Sequence, residues 1–149
     1  MNKFKFYEIT KDIFELPDDK YYKAHCISAD YKLGAGIAKR FDQKYDIKRR
    51  LLNLEEEREF PDCIIVDNVF NLVTKINYWD KPTYGTIKVA IHLFKELVEK
   101  HSIRDIAIPL LGCGLDKLDW NIVSKIIQEE FRDTDCTMLV CHYPKSYRR

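Results

Sequence analysis

Two short glycine-bearing segments each lie between an apolar run typical of a β-strand and a helical pattern. Residues 34–38 follow the apolar run at residues 22–28, and residues 112–116 follow the run at residues 106–110. Repeated strand–turn–helix units of this kind are typical of an α/β fold with parallel strands. Glycine also lets backbone N–H groups approach a ligand closely, and the N-terminus of the following helix attracts negative charge. The two segments therefore predict an α/β domain that binds a ligand carrying a diphosphate and sugars.

The rest of the chain continues the alternation of strands and helices. Apolar runs or period-two patterns predict four further strands, over residues 3–9, 63–66, 69–73 and 137–141. Apolar residues at helical spacing predict helices that begin at residues 37, 47, 82 and 119, the second of them covering residues 47–57. Pro82 suits the first turn of the third helix, and Asp119 is expected to cap the fourth. We expect one domain over residues 1–149, a three-layer α/β/α sandwich with a mixed, mostly parallel central sheet.

Charge and cysteine content exclude several classes of protein. The net charge is only +1, from 25 basic and 24 acidic residues, so no field favours nucleic acid over other partners, and the basic run at residues 44–50 is interpreted as a solvated helix face. Five cysteines without a C-x-x-C pair and four histidines without metal-ligand spacing predict reduced thiols and no metal site. The N-terminus is charged and no apolar stretch is long enough to span a membrane, so we expect neither a signal peptide nor a membrane partner. We expect a cytoplasmic monomer.

The glycine segments leave other interpretations open when each is considered alone. The first could begin a dinucleotide-binding G-x-G-x-x-G fingerprint, but the third glycine position is Lys39, and the acidic residues 55–57 lie in a helical run. It could also be a turn without any ligand. In the second segment, Cys113 could be a nucleophile, but no histidine base can be placed beside it from the sequence. A small residue in a tight turn is the better interpretation of Cys113.

Two charged residues near these segments could carry chemistry. Lys75 follows the apolar strand at residues 69–73 and precedes a loop with Tyr78 and Trp79. Most lysines at strand ends are solvated, but a lysine that is partly desolvated beside a ligand can lose its proton and attack an electrophilic sugar carbon. Asp116, at the mouth of the second segment, could either handle protons or begin a helix.

With these residues in place, the chain resembles a macrodomain. More narrowly, it is similar to the subtype that includes the terminal ADP-ribose protein glycohydrolase and the macrodomain antitoxins that reverse DNA ADP-ribosylation. The matching segments occur in the order of the family and cover nearly the whole chain, at residues 12–14, 25–28, 34–38, 72–75, 81–84 and 112–120. The last of these is specific by itself, and the others are specific only jointly.

The resemblance implies a role for each matching residue. Asp12 would accept a hydrogen bond from the adenine amino group, with the Ile13 N–H on the ring, and Ser28 would lie near the distal ribose. The diphosphate and distal ribose would be held by Gly34, Ala35, Gly36, Ile37, Ala38, Gly112, Cys113, Gly114 and Leu115, and Thr74 would also contact the ligand. Lys75 would attack the anomeric carbon of the distal ribose, and Asp116 would assist and resolve the adduct. No metal or other cofactor is implied.

The chain also departs from the family pattern. Lys11 stands where the family often has glycine, Leu110 stands where it often has arginine, and the loop at residues 76–80 carries two bulky aromatic side chains. These differences concern the substrate more than the activity. The resemblance implies an ADP-ribosyl hydrolase that acts on Glu- or Asp-linked ADP-ribose on protein, O-acetyl-ADP-ribose or ADP-ribosylated nucleic-acid bases. The alternative is a non-catalytic reader or sponge for ADP-ribose or a related nucleotide. The presence of both Lys75 and Asp116 favours catalysis, because a reader needs neither.

Overall fold

The computed structural model describes residues 3–144. Within these residues the chain forms six strands: β1 (Lys5–Thr10), β2 (Tyr22–Ser28), β3 (Asp62–Val66), β4 (Val69–Lys75), β5 (Asp105–Ile108) and β6 (Thr137–His142). The same residues form four α-helices, α1 (Gly36–Tyr45), α2 (Ile47–Leu52), α3 (Tyr84–Lys100) and α4 (Trp120–Phe131), and a short 3₁₀ helix at Ile13–Glu15. The predicted alternation of strands and helices is confirmed.

The strands form a single mixed sheet in the order β1-β6-β5-β2-β4-β3. Only β3 and β4 pair antiparallel, and the other four neighbouring pairs are parallel. The strands β2 and β5 are neighbours at the centre of the sheet, although β3, β4 and α3 lie between them in the chain. Because parallel strands end at the same edge, the two glycine segments leave the sheet side by side.

Helices cover both faces of the sheet and give two hydrophobic cores. On one face, α3 and α4 bury Phe94 and Ile127 against strand residues such as Leu72. On the other face, α1 and α2 bury Phe41 and Ile47 in a second core. The predicted three-layer sandwich with a mixed, mostly parallel sheet is confirmed. No helix in the part of the chain that the structure describes is long and apolar enough to cross a membrane.

Helix boundaries follow the capping chemistry, with two corrections. Asp119 caps α4 as predicted, since its carboxylate accepts a hydrogen bond from the Asn121 N–H at 2.8 Å. The predicted helix over residues 47–57 is too long. It ends at Leu52, because the following run of like charges has no apolar side to bury. Pro82 precedes α3 instead of lying in its first turn, since Thr83 takes the N-cap position in a capping box.

Candidate functional site

The two glycine segments border one cleft at the carboxyl edge of the sheet. Its volume is about 1270 Å³, larger than the roughly 300–1,000 Å³ of ordinary small-molecule sites. Its walls come from the ends of strands and the segments that follow them: residues 11–13, residues 26–28 and 32–40, the loop after β4, the second glycine segment with residues 109–111, and residues 141–143. The cleft can therefore hold a ligand made of several linked groups.

The first glycine segment offers a row of backbone donors at the N-terminus of α1. Gly36 has a φ of +58°, a conformation that residues with a side chain rarely adopt. Ala35 occupies the N-cap position and provides no side-chain hydrogen bond to the helix. The N–H groups of residues 34–38 have no hydrogen-bond partner within residues 3–144. These donors and the helix dipole together make a site suited to an anion.

The second glycine segment is a tighter turn with fewer available donors. Gly112 has a φ of +71°, and its carbonyl accepts a hydrogen bond from the Leu118 N–H at 2.9 Å. The N–H of Cys113, predicted to face a ligand, instead donates to the Leu110 carbonyl at 3.0 Å within the turn. The N–H groups of Gly114 and Leu115 have no partner in the described chain. These two groups are therefore the donors that this turn presents to a ligand.

The two segments also approach each other across the cleft. A Cβ atom built on Gly36 would lie 2.8 Å from Cδ1 of Leu115, which is closer than real Cβ contacts. Leu115 itself is 69% exposed, so its side chain extends from the tip of the second segment toward the first. Glycine at position 36 thus provides the left-handed backbone and makes room for the opposing segment.

Lys75 and Asp116 form an ion pair inside the cleft. The distance from Lys75 Nζ to Asp116 Oδ1 is 2.7 Å, and the two side chains are 15% and 17% exposed. Lys75 is the last residue of β4, and Asp116 is the last residue of the second glycine segment, so the contact joins positions 41 residues apart. A lysine and a carboxylate in direct hydrogen-bond contact can exchange a proton. The structure brings together the two residues assigned to catalysis by the resemblance.

Asp12 lines the cleft just after β1, which three strands separate from β4 in the sheet, and both of its carboxylate oxygens are already engaged. Its Oδ1 accepts a hydrogen bond from the Phe14 N–H at 3.1 Å, and its Oδ2 accepts one from Arg40 Nη2 at 2.9 Å. The guanidinium carbon of Arg40 is 4.5 Å from the centroid of the Phe14 ring. A ligand amine that binds Asp12 must therefore share this carboxylate with Arg40.

The remaining predicted site residues differ in where they lie. Ser28 lines the cleft, and its hydroxyl donates to Asp30 Oδ1 at 2.6 Å. Thr74 does not line the cleft and is fully buried, so its position does not fit the predicted ligand contact. Burial and the negative charge of Asp119 raise the pKa of Cys113 to about 11, which keeps the thiol protonated and argues against a nucleophile. Within residues 3–144, no group of three or more His, Cys, Asp or Glu side chains could hold a metal ion.

Two polar residues were not singled out from the sequence: Arg40, which lines the cleft, and Asp30, which does not line it but contacts Ser28 in its wall. Arg40 contacts Asp12, but nothing in the pattern of α1 distinguishes it from Lys39 and Lys44 on the same helix. Asp30 connects the segments that follow β2 and β4, through hydrogen bonds that the sequence does not reveal.

Solved structures with a similar fold include macrodomains. The macrodomain of Thermus aquaticus DarG matches with a TM-score of 0.82 at 16% identity, over 95% of this chain and 99% of that chain. The macrodomain of Mycobacterium tuberculosis DarG matches with a TM-score of 0.78 at 19% identity, over 90% of this chain and 96% of that chain. Thermosipho africanus DarTG in complex with ADP-ribose has a TM-score of 0.78 at 18% identity, over 97% of this chain and 43% of that chain. At these identities the likeness establishes the fold.

Sequence relatives decide the family. No protein-family model matches the chain. The ADP-ribose glycohydrolases OARD1 of Homo sapiens and of Bos taurus are each 35% identical to it over 131 residues, which cover 87% of this chain and 86% of each relative. The chain is a macrodomain of the ADP-ribose glycohydrolase family. The function of this macrodomain accordingly lies in the hydrolysis or binding of ADP-ribose.

Proposed function

We propose that this macrodomain is an ADP-ribosyl hydrolase that releases ADP-ribose from a modified substrate. The proposed linkages are Glu- or Asp-linked ADP-ribose on protein, O-acetyl-ADP-ribose, and ADP-ribose on a nucleic-acid base. The observation that carries the proposal is the contact of 2.7 Å between Lys75 and Asp116 within a cleft of about 1270 Å³. The relatives named ADP-ribose glycohydrolase support the same class of reaction.

In the proposed complex, the backbone donors hold the diphosphate. The N–H groups of residues 34–38, together with those of Gly114 and Leu115, lack partners in the described structure and face the same cleft. Asp12 and Ile13 bind the adenine, with Arg40 sharing the Asp12 carboxylate. Ser28 lies near the distal ribose, on the side of the cleft where Lys75 ends β4. These contacts orient the anomeric carbon of the distal ribose toward Lys75.

In the proposed reaction, Lys75 acts as the nucleophile and Asp116 handles the protons. Asp116 accepts a proton from the Lys75 ammonium, and the neutral amine attacks the anomeric carbon. The bond from that carbon to the acceptor breaks, and the proton held by Asp116 passes to the departing acceptor. Water then replaces the lysine nitrogen at the same carbon, which releases ADP-ribose and returns Lys75. Asp116 takes the proton from this water and gives it to the lysine.

A second candidate function is a reader that binds ADP-ribose without cleaving it. The open backbone donors serve a reader as well as an enzyme, so binding alone does not separate the two functions. The ion pair separates them, because a reader gains nothing from placing a lysine and an aspartate in contact at 15% and 17% exposure.

We also propose that the protein acts as an intracellular monomer, and its five free cysteines are in keeping with a reducing compartment.

The test compares release of ADP-ribose from three substrates: a Glu-linked ADP-ribosyl peptide, O-acetyl-ADP-ribose and ADP-ribosylated single-stranded DNA. Binding of free ADP-ribose is measured in parallel by calorimetry. Turnover of at least one substrate is expected, and the fastest one identifies the acceptor. Tight binding of ADP-ribose without release from any of the three would refute the hydrolase and favour the reader.

A further inference from the structure

The carboxylate of Asp30 joins two segments that leave the sheet beside the ion pair. Its Oδ1 accepts hydrogen bonds from the Ser28 hydroxyl at 2.6 Å and from the Lys32 N–H at 3.2 Å. Its Oδ2 accepts one from the Tyr78 N–H at 2.9 Å. Ser28 is the last residue of β2 and Lys32 lies in the segment that follows it, whereas Tyr78 belongs to the segment that follows β4. One side chain thus connects the two segments.

The backbone reinforces the same connection next to Lys75. The pairing of β2 and β4 shifts register at Ile27 and Ser28, so that Ser28 lies opposite Lys75. Beyond this shift, the Ala29 N–H donates to the Lys75 carbonyl at 2.8 Å, and the Asp30 N–H donates to the Ile76 carbonyl at 3.2 Å. The direction in which the chain leaves Lys75 is therefore set by residues 29 and 30.

The segment held in this way has little else to fix it. Ile76, Tyr78 and Trp79 are 56%, 57% and 68% exposed. The hydrogen bonds between Asn77 and Asp80 close the turn on itself and do not attach it to another part of the protein. Among the described residues, Asp30 provides the side-chain hydrogen bond that attaches this turn to the segment after β2.

The charge of Asp30 suits this role at neutral pH. Burial by itself raises the pKa of its carboxyl, but hydrogen bonds from the Ser28 hydroxyl and from the Tyr78 and Lys32 N–H groups outweigh burial and lower it. The group is thus an ionised acceptor, and a carboxylate can accept several hydrogen bonds at once.

We propose that Asp30 is a positioning residue for the hydrolysis. It fixes Ser28 and the residues that follow Lys75, so that the lysine amine is directed at its target carbon. This inference rests on the proposed function. Loss of the carboxylate releases the Tyr78 N–H and leaves the Ser28 hydroxyl, which is 5% exposed, without its acceptor. Small displacements of reacting groups cost up to about 100-fold in rate. We expect Asp30→Ala to lower kcat by about tenfold or more and to change the Kd of free ADP-ribose by less than about threefold.

The conservative variant and a matched control separate positioning from general destabilisation. In Asp30→Asn, the amide oxygen can accept from the Tyr78 N–H while the amide nitrogen donates to the Ser28 hydroxyl. Only the longer bond from the Lys32 N–H, at 3.2 Å, is lost, so kcat should recover to within about threefold of the parent. Asp42→Ala is the control, because it likewise removes a carboxylate that connects two segments by accepting a backbone N–H, here that of Lys48 at 2.8 Å between α1 and α2. This control should leave kcat unchanged at a comparable loss of stability.

Hydrogen exchange of the Tyr78 amide gives a readout that does not depend on activity. Its protection should fall at least about tenfold in Asp30→Ala and stay unchanged in Asp42→Ala. An unchanged kcat in an Asp30→Ala protein that has lost this protection would overturn the positioning role, as would full protection of the amide. If the parent cleaves none of the three substrates, the positioning role fails together with the proposed function. The exchange data would then still report whether Asp30 holds the turn.

Discussion

His25 makes a prediction about the pH dependence of stability. Its ring is fully buried, stacks on Phe41 at a centroid distance of 4.1 Å, and has Nε2 at 2.5 Å from Asn71 Oδ1. Asn71 donates its own amide hydrogens to the carbonyls of Ile64 and Val69, so its Oδ1 accepts and the neutral His25 donates from Nε2. Nδ1 of His25 has no partner within the described residues. Folding therefore requires the neutral ring.

The magnitude follows from the pKa in the two states. Burial lowers the pKa of His25 from 6.5 to about 4, and the hydrogen bond with Asn71 offsets only part of this effect. Between pH 6.5 and pH 4 the unfolded chain binds a proton at His25 that the folded protein does not bind. With respect to this group, the free energy of unfolding is therefore highest above pH 6.5, and it decreases as the pH falls toward 4. At about 1.4 kcal/mol for each pKa unit, the loss is about 3 kcal/mol.

The assay is urea unfolding followed by circular dichroism between about pH 7 and pH 4, for the parent and His25→Gln. Glutamine can still donate to Asn71 but does not titrate, so the variant should lose about 3 kcal/mol less than the parent over this interval. Asp18 and Asp30, whose pKa values lie below 3.8, act mainly at lower pH. Replacement of the exposed His101 by glutamine is the control. Equal pH slopes for the parent and His25→Gln would refute the reasoning.

Three further substitutions test the cleft. Gly112→Ala should destabilise the fold by about 1–3 kcal/mol in urea unfolding. The reason is that φ is +71° and the new Cβ would lie 2.8 Å from a buried isoleucine methyl. Gly114→Ala, which has open space around the new Cβ, should not destabilise the fold. Asp12→Ala should weaken ADP-ribose binding, measured by calorimetry, by about one to two decades in affinity. Unchanged affinity would show that the adenine does not bind at Asp12. Lys75→Ala should abolish turnover and change the affinity for ADP-ribose by less than about tenfold relative to the parent. Replacement of the exposed Lys88 by alanine should match the parent in both measurements.

Local chemistry explains which parts of the fold could be predicted from the sequence. Two correctly predicted features depend only on neighbours within a few turns of the chain. They are the cap at Asp119 and the buried stripe of α3, whose members are at most 1% exposed: Ile87, Ile91, Phe94 and Val98. The resemblance implied a ligand contact for Thr74, which lies in the matching segment at residues 72–75, but the position in the strand decides otherwise. The strand β4 continues to Lys75, and alternation then directs Thr74 to the face opposite Lys75.

Contacts between distant segments could not be predicted from local pattern. Lys23 is a charged residue of β2, yet it is completely buried. Its Nζ donates to the Leu16 carbonyl at 2.8 Å, to Asp18 at 2.9 Å and to the Tyr45 hydroxyl at 3.0 Å. The pairs of Arg40 with Asp12 and of Lys75 with Asp116 likewise join residues 28 and 41 positions apart. Only the resemblance to the family indicated that Lys75 and Asp116 act together.

The central claim of the account is that Lys75 becomes covalently bonded to the distal ribose during turnover. The most direct measurement is to quench the parent protein with borohydride while it turns over its fastest substrate, and to map the product by peptide mass spectrometry. The adduct of the lysine nitrogen with the anomeric carbon opens to an imine when the bond from that carbon to the ring oxygen breaks and the oxygen takes a proton from the nitrogen. Borohydride supplies the hydride that reduces this imine to a stable amine. The account predicts an ADP-ribosyl mass increase on the peptide that carries Lys75. Continued turnover with no adduct on that peptide, or with the adduct on another residue, would contradict it.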